Sequence, residues 1–258
     1  MHCGSPTGAV CEMLAGMKPH FRRHATILAV VATCWMPAAF AQTNWAKTVV
    51  LPKAEKAIAL FNEKDLTGWE GQIEKYWSVE PGIIRGANTR EVPASTYLFT
   101  KQSFRNFRLL FEVKQTRGET FSTTHSAVAI LGEKFTDHGD PFSFKGPLVM
   151  FCNDWGIWDA NRRNRVFPPR YPTTWLHPVE KVGEWNQIEL LVNGNHIRKV
   201  VNGHLVMDYF EEPGLLKPSP IGLQLHSNAK PQEFRFRGLI LTENPEEKLL
   251  TFQRPVSP

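Results

Sequence analysis

Residues 188–209, IELLVNGNHIRKVVNGHLVMDY, decide the fold class. Ile188, Leu190 and Val192 recur every second position, which is the period of a half-buried strand. Asn193-Gly194-Asn195 interrupts the run, and a second apolar stretch continues over 197–201. Asn202-Gly203 then leads into a third over 205–209. An Asn-Gly pair tolerates the positive φ angles of a tight hairpin, so three consecutive antiparallel strands follow.

The same period recurs outward from this segment. Phe107, Leu109, Phe111 and Val113 alternate with Arg108, Glu112 and Lys114, and Phe234 and Phe236 alternate with Glu233, Arg235 and Arg237. Further strands are expected at 78–85, 96–100, 127–131, 148–152 and 221–225. Helical periodicity is faint, with a short turn expected near Phe104 and another over 246–250. Many short strands, frequent turn residues and no βαβ rhythm predict an all-β, antiparallel two-sheet β-sandwich.

The N-terminal end reads as a leader. Lys18, Arg22 and Arg23 precede an apolar run over 25–33, and Ala39-Phe40-Ala41 supplies the small residues a signal peptidase accepts before Gln42. Met17 makes a better start than Met1, because MKPHFRR is an ordinary charged beginning for a leader. The apolar core of about ten residues falls short of the roughly 20 that cross a bilayer as a helix. Residues 1–41 are therefore expected to be removed on export to the periplasm or beyond. Residues 42–258 are expected to form one sandwich domain with no membrane span.

Net charge is +5 for the whole chain. The leader takes with it three basic residues and Glu12. The remaining basic residues are scattered, apart from Arg162, Arg163 and Arg165, which leaves no nucleic-acid footprint. Of the 4 cysteines, only Cys152 lies beyond the leader, so no internal disulfide is expected there.

A binding function is most visible in residues 148–169, LVMFCNDWGIWDANRRNRVFPP. A strand-like run gives way to Asn153, Asp154, Trp155, Trp158 and Asp159, followed by Arg162, Arg163 and Arg165. Indole faces cover the C–H face of a pyranose while carboxylate, amide and guanidinium groups take its hydroxyls, so this mixture suits a sugar pocket. Asn62 and Asp65 read as turn formers, and Trp69 and Trp185 as sheet-packing residues. There is no GxSxG, HExxH, P-loop or CxxC. No two histidines beyond the leader have a local metal-ligand spacing, so the metal is unknown, although acidic loops leave room for a divalent cation such as calcium.

Seven short motifs stand in order along the chain: LFNEKDLTGW (60–69), WSVEPGII (77–84), YLFT with NFRL (97–109), GEWN (183–186), VNG (201–203), LQLH (223–226) and EFRFR (233–237). Together, over about residues 60–240, they resemble the family of secreted 3-keto-disaccharide hydrolase domains, long called domain of unknown function 1080. The resemblance implies a concanavalin A-like jelly roll and action on the glycosidic bond of 3-keto-disaccharides or related 3-keto-glycosides. A ketone at C3 acidifies the C2 proton, so the chemistry needs a base, an enolate stabiliser and a proton source. On matching motifs, His226 or Asp154 is expected as base, Arg162 or Arg163 at the enolate, and Asp159 as acid. Asn153, Trp155, Trp158, Arg165, Gln224, His125 and Glu133 are expected at the substrate. An ordinary glycosidase would instead pair Asp154 with Asp159 or Glu133.

Departures from the family pattern fall near this region. HSAVAILGE (125–133) stands for NSGIxLRG, the YEVQIxDD strand has lost its mid-strand Glu and Gln, and Ser227 replaces a Gly. These departures keep open a non-catalytic carbohydrate-binding, lectin-like module.

Overall fold

The computed structural model describes residues 44–118, 125–151, 156–159, 161–163, 165–167, 178–212 and 214–253, with only the backbone at 165–167. All of them fall in one unit, Gln42–Pro258. In chain order the strands are β1 (Ile58–Ala59), β2 (Trp69–Glu70), β3 (Trp77–Glu80), β4 (Ile83–Ala87), β5 (Thr96–Phe104) and β6 (Phe107–Arg117). Next come β7 (Ser126–Ala129), β8 (Glu133–Asp137), β9 (Asp140–Lys145), β10 (Leu148–Phe151), β11 (Ile157–Asp159) and β12 (Arg165–Phe167). The last five are β13 (Asn186–Asn193), β14 (His196–Val201), β15 (His204–Phe210), β16 (Ser219–Leu225) and β17 (Glu233–Glu243).

Two antiparallel sheets pack face to face as a jelly roll. One runs β15-β14-β13-β6-β17-β4-β3, with β1 also on β17, and the other runs β12-β11-β10-β7-β16-β5-β2. The expected three-strand meander is β13-β14-β15, with Asn202 (φ 48) and Gly203 (φ 84) in its second turn. Between the sheets lies an apolar core that includes Leu98, Leu109, Phe111, Val128, Phe151, Ile188, Ile197, Leu223, Leu225 and Phe236. Successive strand residues face opposite sides. Residues such as Tyr97, Phe99, Ala127, Ala129, Leu148 and Met150 therefore point away from this core and form a second apolar cluster on the outer face of the seven-stranded sheet.

The outer face of the other sheet is covered by both ends of the domain. Fully buried Arg108 receives Glu55 in a bidentate pair at 2.9 and 3.0 Å, and also Glu189 and the Glu246 carbonyl at 3.0 Å. Glu189 accepts the Leu250 and Thr251 backbone N–H groups as well. Isolated in the interior, any of these charges would cost several kcal/mol, and each is paired and hydrogen-bonded. Glu112 is likewise held in a bidentate pair by Arg237, whose guanidinium stacks 4.1 Å from the Trp185 ring.

Several local expectations change. The strand expected over 78–85 is a hairpin, β3-β4, because Gly82 (φ 73) turns the chain. Phe104 ends β5 rather than forming a helical turn, and 246–250 is irregular. The helical turns lie at Trp45–Thr48 and Ile73–Tyr76. Trp69 is buried and donates its Nε1–H to the Leu60 carbonyl at 2.8 Å, while Asn62 and Asp65 cap backbone N–H groups of their own turn. Among the described residues no helix is long and apolar enough to cross a membrane.

Candidate functional site

The register of the seven-stranded sheet determines which outward side chains share a row. Gly222 faces Ala129 on β7 and Phe99 on β5, Ala129 faces Leu148 on β10, and Leu148 faces Trp158 on β11. Over this row lies Phe144 of the β8-β9 hairpin, 5.9 Å from the Phe99 ring. Gly222 is required beneath it, since a Cβ there would stand 2.5 Å from the Phe99 ring. One row further along, Gln224 meets Tyr97 and donates to its hydroxyl at 3.0 Å.

The next row brings two histidines together. His226 directly follows β16 and His125 directly precedes β7, and because these strands are antiparallel the rings meet with centroids 4.0 Å apart. His125 is buried, and His226 is more open. Burial pushes the His226 imidazole down to about 4, opposed by a backbone hydrogen bond at Ser227, so it is neutral through the physiological range. Its Nδ1 and the Oε1 of buried Gln224 have no hydrogen-bond partner among the described residues. Buried polar atoms are nearly always satisfied, so these two on adjacent rows call for a water or a ligand as partner. Burial likewise raises the Tyr97 hydroxyl above its ordinary range, keeping it a neutral donor and acceptor.

The loop carrying His226 is tied down. Gln232 donates its Nε2–H to the His226 carbonyl at 2.5 Å, Val92 and Asn228 exchange backbone hydrogen bonds, and the Ser227 N–H donates to Ser95 Oγ at 3.0 Å.

The expected site residues divide into two groups. His125, His226 and Gln224 assemble as described. Asp159, Arg162 and Arg163 lie elsewhere: Asp159 shares the inward face of β11 with Ile157, on the opposite side of the sheet from His226. It is fully buried and accepts from Arg162 Nε and Arg163 Nε, each at 2.8 Å. Arg163 also grips buried Glu211 through Nη1 and Nη2 at 2.8 and 2.6 Å. Burial alone would raise the Glu211 carboxyl, but Arg163 and the Glu212 N–H outweigh it and hold it below its ordinary range. These four residues clasp β11 and its following turn to the end of β15. Asp159, expected as the acid, and Arg162 and Arg163, expected at the enolate, are thus held together in an ion-pair cluster rooted on the other side of the sheet from the histidine row.

Glu133 opens β8, at the far end of β7 from His125, roughly 13 Å along the strand direction. There it pairs with Lys217 at 3.5 Å beside Arg162, around a small cleft of about 170 Å³, and does not meet the histidines. Trp158 faces outward but two rows away from His226 and three strands across. Asn153, Asp154 and Trp155 lie outside the described residues, as does the Arg165 side chain. Tyr97 was not among the expected site residues, although its alternation with Leu98 already put it opposite the core. No group of three or more His, Cys, Asp or Glu that could hold a metal occurs among the described residues, where the histidine pair supplies two imidazoles.

The comparisons agree with this fold. A protein from Parabacteroides distasonis ATCC 8503, provisionally described as a glycosyl hydrolase, superposes with a TM-score of 0.50 at 20% identity, covering 72% of this chain and 93% of that one. The carbohydrate-binding module CBM66 from Bacillus subtilis matches with a TM-score of 0.46 at 13% identity, covering 68% and 96%. At 20% identity the likeness to the Parabacteroides protein is one of fold. No curated protein matches the chain. The model of the 3-keto-alpha-glucoside-1,2-lyase-like domain matches residues 56–241, so the chain belongs to that carbohydrate-related family.

Proposed function

We propose that the protein is an exported carbohydrate-active enzyme that breaks the glycosidic bond of 3-keto-glycosides by elimination, with hydration completing hydrolysis. The observation that carries this reading is the unpartnered Nδ1 of the neutral His226 ring, with its centroid 4.0 Å from that of His125. The family membership gives the sugar class its support.

In this reading the base takes the C2 proton of a sugar oxidised at C3. The electron pair moves into a C2–C3 enolate, then returns to form C1=C2 as the C1–O bond breaks and the leaving alkoxide takes a proton. Water adding across C1=C2 gives the free 3-keto sugar. His226 is the proposed base. Its low pKa keeps it unprotonated, and the enolate charge growing beside it raises its basicity as the proton arrives. The Gln224 amide stands beside a Tyr97 hydroxyl that both donates and accepts. Turned with its oxygen to Tyr97, it directs N–H donors at the enolate oxygen. Asp154 is the alternative base.

The test is solvent deuterium exchange at C2 and turnover of 3-keto-disaccharides by the wild type, His226→Ala and Asp154→Asn. Loss of both signals in His226→Ala alone supports the assignment, and loss in Asp154→Asn alone transfers the role to Asp154. A wild type that binds saccharides without exchange or turnover is a binding module. The fixing of Asp159 in ion pairs favours that second reading to the extent that acid catalysis was expected from it. Export is tested by N-terminal sequencing of secreted protein, where Gln42 is the expected first residue.

A further inference from the structure

A hollow of about 450 Å³ at the β3-β4 edge takes no part in the proposed chemistry. β3 and β4 end the sheet built on β6 and β17, whereas His125 and His226 adjoin strands of the seven-stranded sheet, and no residue of the histidine row lines the hollow. Its size falls within the roughly 300–1,000 Å³ of small-molecule sites. Buried Tyr76 and Trp77 line its base, and Glu74, Lys75, Arg90 and Glu91 stand exposed around it.

Two close fits hold this hollow open. Trp77 pairs with Gly86 across the β3-β4 hairpin, and a Cβ on Gly86 would stand 2.5 Å from the indole, so the ring lies where only a glycine admits it. Asn88 donates its side-chain N–H groups to the Arg90 and Lys230 carbonyls and exchanges hydrogen bonds with the Gln232 backbone. The turn that carries Thr89, Arg90 and Glu91 is thereby fixed.

The chemistry of the lining narrows the occupant. Arg85 is neutralised by Glu233 at 2.6 Å. Glu74, Lys75, Arg90 and Glu91 form no ion pair among the described residues, which leaves two carboxylates and two cations, with the exposed hydroxyls of Ser78 and Thr89, open to a ligand. Balanced donors and acceptors suit a neutral, hydroxyl-rich molecule better than an ion. The Nε1–H of Trp77, a residue 4% exposed, has no acceptor among the described residues, and a buried donor calls for one from water or a ligand.

We propose that this hollow is a second saccharide site, which binds a neutral sugar without turning it over and independently of the histidine row. The sugar class rests on the carbohydrate reading above, and the position rests on the hollow itself.

The test is calorimetry with unoxidised cellobiose and maltose on the wild type, Arg90→Ala/Glu91→Ala and His226→Ala, beside turnover of a 3-keto-disaccharide. At least one disaccharide is expected to bind the wild type, to bind the double variant about tenfold more weakly, and to bind His226→Ala as it binds the wild type. Turnover is expected to be unchanged in the double variant. Thermal melting checks folding, and Lys75→Ala, outside the 88–91 turn, repeats the comparison if the double variant melts early. No binding of either disaccharide, equal affinity in the rim variants, or affinity lost with His226 overturns the second site, and leaves the catalytic reading standing wherever the 3-keto sugar is turned over. Rim-dependent binding in a protein that turns over no 3-keto sugar keeps the second site and removes the catalytic reading.

Discussion

His125 and His226, a hundred residues apart in sequence, face each other with ring centroids 4.0 Å apart because the start of one strand lies beside the end of its antiparallel neighbour. One ring is neutral and lacks a partner at Nδ1, which gives the pair its chemical interest. If His226 is the base, kcat/KM for a 3-keto-disaccharide is expected to stay level from neutral pH down to about 5 and to fall as pH approaches about 4. An acid limb centred near 6.5, or one unchanged in His226→Gln, would assign the base elsewhere.

Gln224 lies one row from the histidine pair on the outer face of its sheet, with its Oε1 unpaired among the described residues. Replacing it by Leu removes its hydrogen bond to the buried Tyr97 hydroxyl, so the melting temperature is expected to fall modestly while kcat falls by about a hundredfold, the usual scale for one lost oxyanion donor. Unchanged kcat together with weakened substrate binding would make Gln224 a contact of the bound sugar only.

Asp159→Asn is expected to act on stability. It leaves Arg162 and Arg163 facing a neutral amide at a fully buried position, and breaking a buried pair costs about 3–5 kcal/mol. Urea unfolding should report that loss, with kcat retained well below the midpoint. Lost turnover in a variant of wild-type stability would return Asp159 to the chemistry.

Arg108→Ala strands both Glu55 and Glu189 inside the protein, and a loss of about 3–5 kcal/mol is expected. Arg108→Met with Glu55→Gln and Glu189→Gln in the same chain should recover part of it, because no uncompensated charge remains. A single substitution that costs under about 1 kcal/mol would show that water reaches the pair.

Two groups give stability distinct pH windows. Because folding lowers the His226 pKa from 6.5 to about 4, the unfolded chain takes a proton first. The associated stability is complete above 6.5 and is lost as pH falls through about 4, by up to ~3 kcal/mol. Burial pushes Glu233 up, but Arg85, Thr116 and Arg235 outweigh it and hold it at about 2, so its contribution is complete above 4.5 and disappears as pH falls through about 2. Melts at stepped pH should show His226→Gln flatter than the wild type between 6.5 and 4.5. Parallel curves would remove His226 from the account.

Alternation made the sandwich readable: Phe107 to Val113 and Phe234 to Phe236 face inward as their spacing requires. The β8-β9 hairpin was missed because its first strand, Glu133–Asp137, has a single apolar residue, Phe135, and is at most half-buried. His226 and Gln224 were named through LQLH (223–226), one of the motifs that carry the family resemblance. Their meeting with His125 and Tyr97 depends on register, which no local pattern states. Asp159 looked reactive because indoles and guanidiniums surround it in sequence, and the partner that completes its arginine clasp, Glu211, lies 52 positions downstream.

One guanidinium ties both ends of the domain to its middle. Arg108 is satisfied on one side by Glu55 and on the other by the Glu246 carbonyl, while Glu189, its third partner, is capped by Leu250 and Thr251. The family match spans 56–241 and stops short of every one of those outer groups. A chain trimmed to the homologous segment would keep all the strands of the sandwich except the last two residues of β17, yet bury a cation against a half-empty socket. Such a segment is therefore expected to melt below one that extends from before Glu55 to beyond Thr251.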